Sequence, residues 1–304
     1  MTTPTKHFIF EGDSRDMSFI PDRSVHLVVT SPPYANLKRY EEHPEQLGHI
    51  EDYEEFLAEL DKVWAECERV LVPGGRICSV AGDVCVPRRK GGRHFVLPLS
   101  ADIQVRARAL GLDALTPIRW LKVANIKLEA SSSARFLGKP NLPNGIVKND
   151  LEHIIFLRKP GYRKPTPEME EASHISTDDY EKWFSAIWTI NGASTREHPA
   201  PYPREVAWRL IRMFSFAGDV VLDPFAGTGT TNLAAMEADR HSIGVEIEPK
   251  YLAMIERRLS QVPMGGADVR VVRAEERASR FSSPVASVED RGDMLSEQPQ
   301  EAVA

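Results

Sequence analysis

The sequence predicts an α/β protein built on a doubly wound, mostly parallel sheet that carries an inserted region, and three observations support this. Short apolar runs of strand length alternate with amphipathic helical stretches in both the first and the last third of the chain. Two of those runs stop at loops of unusual composition, Thr30-Ser31-Pro32-Pro33-Tyr34 and Asp223-Pro224-Phe225-Ala226-Gly227-Thr228-Gly229-Thr230. Between the two halves, residues 125–150 are rich in Ser, Gly, Pro, Asn and Lys and show no period.

Taken in order, HFIFEGDSRD is an apolar run ending in Gly12-Asp13, a strand that enters a turn. Val25–Val29 is a second strand. Tyr53 to Leu71 has apolar residues at 56, 57, 60, 63, 64, 67, 70 and 71, the stripe of an amphipathic helix. Pro73-Gly74-Gly75 reads as its stop signal, with a strand over Arg76–Ala81 to follow. Glu152–Leu157 is a strand and Pro160–Ser176 a loop. Arg204–Phe214 is again a helix, apolar at 206, 207, 210, 211 and 214. A strand over Asp219–Leu222, a Gly-containing turn and a helix beginning over Asn232–Glu237 come next. Ser242–Val245 is a strand, and Pro249–Leu259 a helix with Pro in its first turn. After Val262 the stretch PMGGAD reads as a linker, and the acidic end as disordered.

With 42% hydrophobic and 27% charged residues over 304 positions, the composition is that of an ordinary globular protein. No run approaches the roughly 18 apolar residues of a membrane span, and the first residues lack a basic-then-apolar leader. Cys67, Cys78 and Cys85 show no CxxC spacing and sit at strand or helix positions. A cytoplasmic protein without a metal site or a disulfide framework is the expectation. The net charge of −6 argues against a nucleic-acid partner until the charge is located. Between Arg119 and Lys164 there are ten Lys or Arg against three acids, and Arg88-Arg89-Lys90 with Arg93 form a second basic cluster. Residues 283–304 hold five acids and one Arg. Local patches rather than net charge govern phosphate binding.

The second loop follows an apolar strand, has Gly at alternate positions and runs into a helix. This is the place where open α/β sheets bind ligands, and Gly lets the backbone approach one closely. Asn232 occupies the third Gly position of a GxGxxG dinucleotide motif, and there is no Walker lysine. Glu246 ends the next strand, 23 residues after Asp223, where a carboxylate can accept both hydroxyls of a ribose. A nucleoside without pyrophosphate fits this pattern, and S-adenosylmethionine is such a ligand. In the first loop, Ser31 offers a hydroxyl acceptor and Pro32 a carbonyl on a stiff backbone lacking N–H groups. Two acceptors can hold the hydrogens of an exocyclic base amine and expose its lone pair to a methyl sulfonium. Tyr34 offers a face for an extruded base.

With these residues in place the chain resembles the amino-methyltransferases of bacterial DNA modification. Their signatures are an FxGxG-type cofactor loop and a (D/N/S)PP(Y/F/W) catalytic loop. Ser31 precedes Phe225 by 194 residues, the motif order of the family's β group, and the resemblance covers about residues 8–260. It implies a class I, Rossmann-like S-adenosyl-L-methionine-dependent fold, with Ser31, Pro32, Pro33 and Tyr34 in catalysis. It implies cofactor contacts at Asp13, Thr30, Asp223, Pro224, Phe225, Ala226, Gly227, Thr228, Gly229, Thr230 and Glu246. Within His198-Pro199-Ala200-Pro201-Tyr202-Pro203, it adds His198, Pro199, Tyr202 and Pro203 near the methionine moiety. The strand EHIIFLRK resembles the hairpin strand before a target-recognition region. The division expected is a catalytic part at 1–124, a target-recognition region at 125–190, a cofactor-binding part at 191–262 and a tail at 263–304. Duplex DNA is the implied substrate, met by Arg88, Arg89, Lys90, Arg135, Lys139, Asn141, Asn144 and Lys148. A cognate restriction endonuclease and a homodimer are implied as partners. Within the family Ser at the first loop position goes mainly with cytosine N4, with adenine N6 the alternative. An RNA or protein-amide methyltransferase and a non-catalytic binder are the further readings; the motif order with its basic insert, and the intact SPPY loop, stand against them.

Overall fold

The structure, a computed structural model, describes residues 4–34, 45–86, 88–122, 147, 149–193, 202–261 and 267–279. Strand β1 (Lys6–Glu11) forms where Phe8, Ile9 and Phe10 succeed one another, all buried. Such continuous runs suit strands covered on both faces. Strand β2 (Val25–Thr30) is of the same kind. Helix α1 (Tyr53–Val70) is started by Asp52, whose side chain accepts from the Glu55 amide, and buries the expected stripe. Then follow β3 (Leu71–Ala81), the hairpin β4 (Val84–Val86) and β5 (Phe95–Leu97) with α2 (Arg88–Gly91) between them, and α3 (Leu99–Ala109). Strands β6 (Asp113–Leu121) and β7 (Leu151–Arg158) precede α4 (Pro167–Ala172), α5 (Thr177–Trp183) and β8 (Ile187–Thr189). The last part is α6 (Arg204–Phe214), β9 (Val220–Asp223), α7 (Thr230–Glu237), β10 (His241–Glu246), α8 (Pro249–Ser260), β11 (Asp268–Val272) and α9 (Ala274–Ser279).

Nine strands form one sheet in the order β11-β1-β10-β9-β2-β3-β7-β6-β8. Strand β7 runs antiparallel to β3 and β6, and the other pairs are parallel. Alternate side chains feed two cores. Val28, Ile77, Ile155 and Leu222 pack with Phe56, Leu60 and Trp64 of α1 on one face. Leu27, Val29, Val80, Ile154 and Val221 pack with Leu210 and Ile211 of α6 and Ala234 of α7 on the other. This is the doubly wound, mostly parallel sheet expected. From β9 the chain crosses by α7 to β10 on one side; from β2 it crosses by α1 to β3 on the other. Because β9 and β2 are neighbours, the winding reverses between them, and a crevice opens at their carboxyl ends.

Four expectations change. The segment Pro160–Ser176 is not all loop: it contains α4, started by Thr166, whose side chain accepts from the Met169 amide. Pro73-Gly74-Gly75 does not end an element: β3 begins at Leu71, and the register against β2 jumps from Val25↔Leu71 to Leu27↔Arg76. The segment is a bulge, with Gly74 at φ +81° and its amide donating to the Lys159 carbonyl at 3.1 Å. Residues 268–272 are not linker or tail, since Val269 and Val271 belong to β11, which lies parallel to β1. The region 125–190 is not one insertion: its strand β7 lies inside the sheet between β3 and β6. Cys67 and Cys78 are buried in the cores, where burial pushes both thiols up. Among the described residues no helix is long and apolar enough to cross a membrane.

Candidate active site

The loop after β9 is shaped by short-range polar ties. Ala226 N donates to the Val245 carbonyl at 3.0 Å, which folds the loop over the end of β10. Gly227, at φ +53°, donates its amide to Glu246 Oε2 at 2.7 Å, and Glu248 N donates to Oε1 at 2.9 Å. Glu246 is buried, and the loss of water outweighs these amide bonds, so its carboxyl is pushed up to about 7. Gly229 serves packing rather than ligand approach. At φ +78° it caps α7, and a Cβ there would stand 2.9 Å from Ile255 Cγ2 of α8. Thr228 likewise turns away, its carbonyl and hydroxyl accepting from Arg258 Nη1 at 2.6 and 2.8 Å.

At the end of β1 the Gly12 amide donates to the Glu246 carbonyl at 3.0 Å, which brings Asp13 beside that residue. Arg15 holds Asp13 with its backbone amide at 2.9 Å and its Nε at 2.7 Å, and reaches Glu59 of α1 at 2.7 Å. Ser14 donates its hydroxyl to the Pro224 carbonyl. The loop after β2 lies across the crevice. Thr30 is buried and donates to Asp223 Oδ1 at 2.7 Å; Ser31 is half-buried, and Pro32 and Pro33 are buried. Tyr34 packs against the core, and a Cβ on Gly82 would crowd its Cε1 at 3.3 Å. Burial also pushes Asp223 up, to about 6, against the hydrogen bonds from Thr231, Thr30 and the Phe225 amide.

Asp13, Ser31, Pro32, Pro33, Pro224, Phe225, Gly227 and Glu246 share one cleft of about 650 Å³ including its open mouth. The cleft also takes Gly12, Ser14, Glu45, Gln46, Leu47, Val245, Ile247 and Tyr251, none of which the sequence analysis had assigned to the site. Position next to a motif residue at a strand end was the available signal for Gly12, Ser14, Val245 and Ile247; Glu45 to Leu47 carry none. The remaining expected residues are placed elsewhere. Thr30 and Asp223 lie behind the lining, bonded to each other. Ala226 is in the core with α8, Thr230 opens α7, Pro203 caps α6, and Tyr202 is buried with its hydroxyl on Thr231. Arg88 is exposed on α2, the helix that also contains Arg89 and Lys90. His198, Pro199, Arg135, Lys139, Asn141, Asn144 and Lys148 lie outside the described residues.

A buried carboxylate with free lone pairs, beside a glycine that places no side chain in the cleft, suits a nucleoside ligand bound through ribose hydroxyls. Comparison with known proteins agrees. The family model of N6/N4 DNA methylases matches residues 25–257. The type II methyltransferase M.MjaI of Methanocaldococcus jannaschii is 38% identical, over 84% of this chain and 91% of its own. M.MthZI of Methanothermobacter thermautotrophicus is 35% identical, over 84% and 77%. A crystal structure of a Thermus thermophilus protein assigned as a DNA modification methylase, in complex with S-adenosyl-L-methionine, superposes with a TM-score of 0.73. The two are 48% identical over 88% of this chain and 98% of that one. The PvuII cytosine-N4-specific DNA methyltransferase shares the fold at a TM-score of 0.63 and 20% identity, over 95% and 93%. The chain belongs to the N6/N4 DNA methylases, enzymes that use S-adenosyl-L-methionine to methylate an exocyclic amine of a DNA base.

Proposed function

We propose that this protein methylates the N4 amine of cytosine at a specific site in duplex DNA, with the target base extruded from the helix. The observation that carries the reading is that Ser31, Pro32 and Pro33 line the same cleft as Asp13, Gly227 and Glu246. Bound there, S-adenosyl-L-methionine supplies an electrophilic methyl on sulfur. Glu246 accepts the ribose hydroxyls, Asp13 faces the adenine, and Pro224 and Phe225 wall the cleft between them. On the other side, Ser31 Oγ and the Pro32 carbonyl each accept one amine hydrogen, which localises the nitrogen lone pair towards the cofactor. Tyr34 stacks on the base, repaying part of the few kcal/mol that unstacking costs. The assignment to cytosine rests on Ser31, a neutral hydroxyl where adenine enzymes of the resembled family carry a carboxylate or amide.

The duplex is held by phosphate contacts that set its register, while side chains in the grooves read the site. The β4–β5 hairpin supports this placement. It springs from the end of β3, next to the SPPY loop, and residues 84–97 contain Arg88, Arg89, Lys90, Arg93 and no acid. Arg88 and Arg93 are exposed. A cognate endonuclease and a homodimer belong to the same proposal, in keeping with relatives named type II methyltransferases. To test it, purified protein is incubated with S-adenosyl-L-methionine and unmethylated duplex DNA, and the nucleosides are identified by mass spectrometry. N4-methylcytosine is the expected product. N6-methyladenine would overturn the inference from Ser31 and leave the chemistry intact, whereas no methylated base would overturn the placement of the amine.

A further inference from the structure

The backbone ladder between β2 and β9 is short. Only Leu27↔Val221 and Val28↔Leu222 are paired, so the two strand ends that bear the SPPY and cofactor loops separate before either loop begins. Beyond that point, among the described residues, the polar side-chain contacts between them centre on one carboxylate. Asp223 is 1% exposed. Its Oδ1 accepts from Thr30 Oγ1 at 2.7 Å and from the Phe225 amide at 3.0 Å, and its Oδ2 accepts from Thr231 Oγ1 at 2.5 Å. The Tyr202 hydroxyl lies on Thr231 Oγ1. With the one proton of Thr231 given to Asp223, the phenol is the donor in that bond. Thr231 Oγ1 also stands 3.2 Å from the carbonyl of Val29 in β2.

Two members of this cluster adjoin the cleft lining directly, and the other two tie α6 and α7 to them. Thr30 is followed by Ser31, Asp223 by Pro224 and Phe225, Thr231 lies in the first turn of α7, and Tyr202 immediately precedes the Pro203 cap of α6. None of Thr30, Asp223, Thr231 and Tyr202 lines the cleft itself. A buried carboxylate held by donors from several segments is stiff, because moving any one donor removes part of the compensation for its charge in a low-dielectric interior.

We propose that Thr30, Thr231 and Tyr202 are positioning residues for methyl transfer, acting through Asp223 to set the distance between the amine acceptors Ser31 and Pro32 and the cofactor loop. The inference rests on the reading of the SPPY loop given above. Because a displacement of about 1 Å between reacting groups can cost about 100-fold in rate, loosening the cluster should fall on the transfer step. Cofactor affinity should be spared, since the cleft lining is untouched.

The test compares the full-length protein with Thr30→Val, Thr30→Ser and Tyr202→Phe. Single-turnover methylation of duplex DNA is measured at saturating cofactor, and S-adenosyl-L-methionine affinity is measured separately by calorimetry. Thr30→Val keeps the shape and loses the hydroxyl; its rate should fall about 100-fold while Kd stays within about threefold. Thr30→Ser should return the rate to within about fivefold of the parent, because the donor is back. Tyr202→Phe, which removes an outer donor, should slow transfer by about five- to tenfold and serves alone if Thr30→Val does not fold. An unchanged rate in Thr30→Val, or in Tyr202→Phe where that is the one available, sinks the proposal. So does a rate loss matched by an equal loss of cofactor affinity, or one that Thr30→Ser does not repair. A parent that binds cofactor but methylates no base fails the reading of the loop, and the proposal with it; a normal parent beside an unaffected variant fails the proposal alone.

Discussion

Strands β9 and β10 lie side by side and end in buried carboxylates, Asp223 and Glu246, yet the two sides of the crevice are built on different principles. Asp223 faces inward and is bound mainly by hydroxyls brought from Thr30 and Thr231, so it joins segments distant in sequence. Glu246 faces the cleft and is bound by the amides of Gly227 and Glu248, so it is held by backbone and keeps lone pairs for a ligand. The same functional group at matching strand ends becomes a tie on one side and part of the cleft wall on the other. The donors decide which, because hydroxyl donors on several segments enclose a carboxylate, whereas backbone amides of the adjoining loops leave one side open.

The comparison breaks if damage on the two sides has the same signature. The largest effect expected is from Ser31→Ala, which removes the proposed amine acceptor: transfer should fall about 1,000-fold with cofactor Kd nearly unchanged, measured by single turnover and calorimetry. Glu246→Gln should do the reverse, weakening cofactor affinity about 100-fold through the loss of two charge-assisted hydrogen bonds, with a smaller effect on the rate at saturation.

A pH series sharpens the contrast further. Burial holds the free Glu246 carboxyl up at about 7, so at lower pH it is protonated before a ligand arrives. A cationic cofactor bound through ribose hydroxyls selects the carboxylate, and binding should release a proton below neutrality. Affinity should therefore fall about tenfold from pH 8 to pH 6, and Glu246→Gln should flatten that slope. The smallest effect concerns the surface outside the crevice. Arg88→Gln and Arg93→Gln should each raise the KM for DNA a few-fold and reduce the salt dependence of binding by about one phosphate contact. The methylated sequence, read by nucleotide-resolution sequencing, should not change.

How much was legible follows from where the signal is local. Strands β2 and β9 are apolar runs, the first interrupted by His26, that end in composition breaks, and α1 has a seven-residue stripe, so their existence and the placement of two loops at strand ends could be read directly. Strand β6 was missed because DALTPIRWL contains Pro117 and Arg119 and is half-exposed, which erases the pattern. Strand β8 has three residues and β11 five, too few to show a period before a neighbour is known. Pro73-Gly74-Gly75 has the same residues whether it ends a helix or forms a bulge, and the bond from Gly74 to Lys159 makes it the latter.

In the site the same division holds. Residue types set the chemistry in advance: a hydroxyl and a proline carbonyl after β2, a glycine loop after β9 and an acid at the end of β10, each within a few positions of a strand end. That part is local, and the sequence by itself determined it, together with the doubly wound class and the motif order. What the tertiary structure alone decided was direction. Asp223, Thr30 and Tyr202 stand in motifs expected at the cofactor, yet their side chains turn into a shared buried cluster, Gly229 turns to α8, and Arg15 clamps Asp13. Which way a side chain points depends on the register of strands whose residues are some two hundred positions apart, and no local pattern encodes that register.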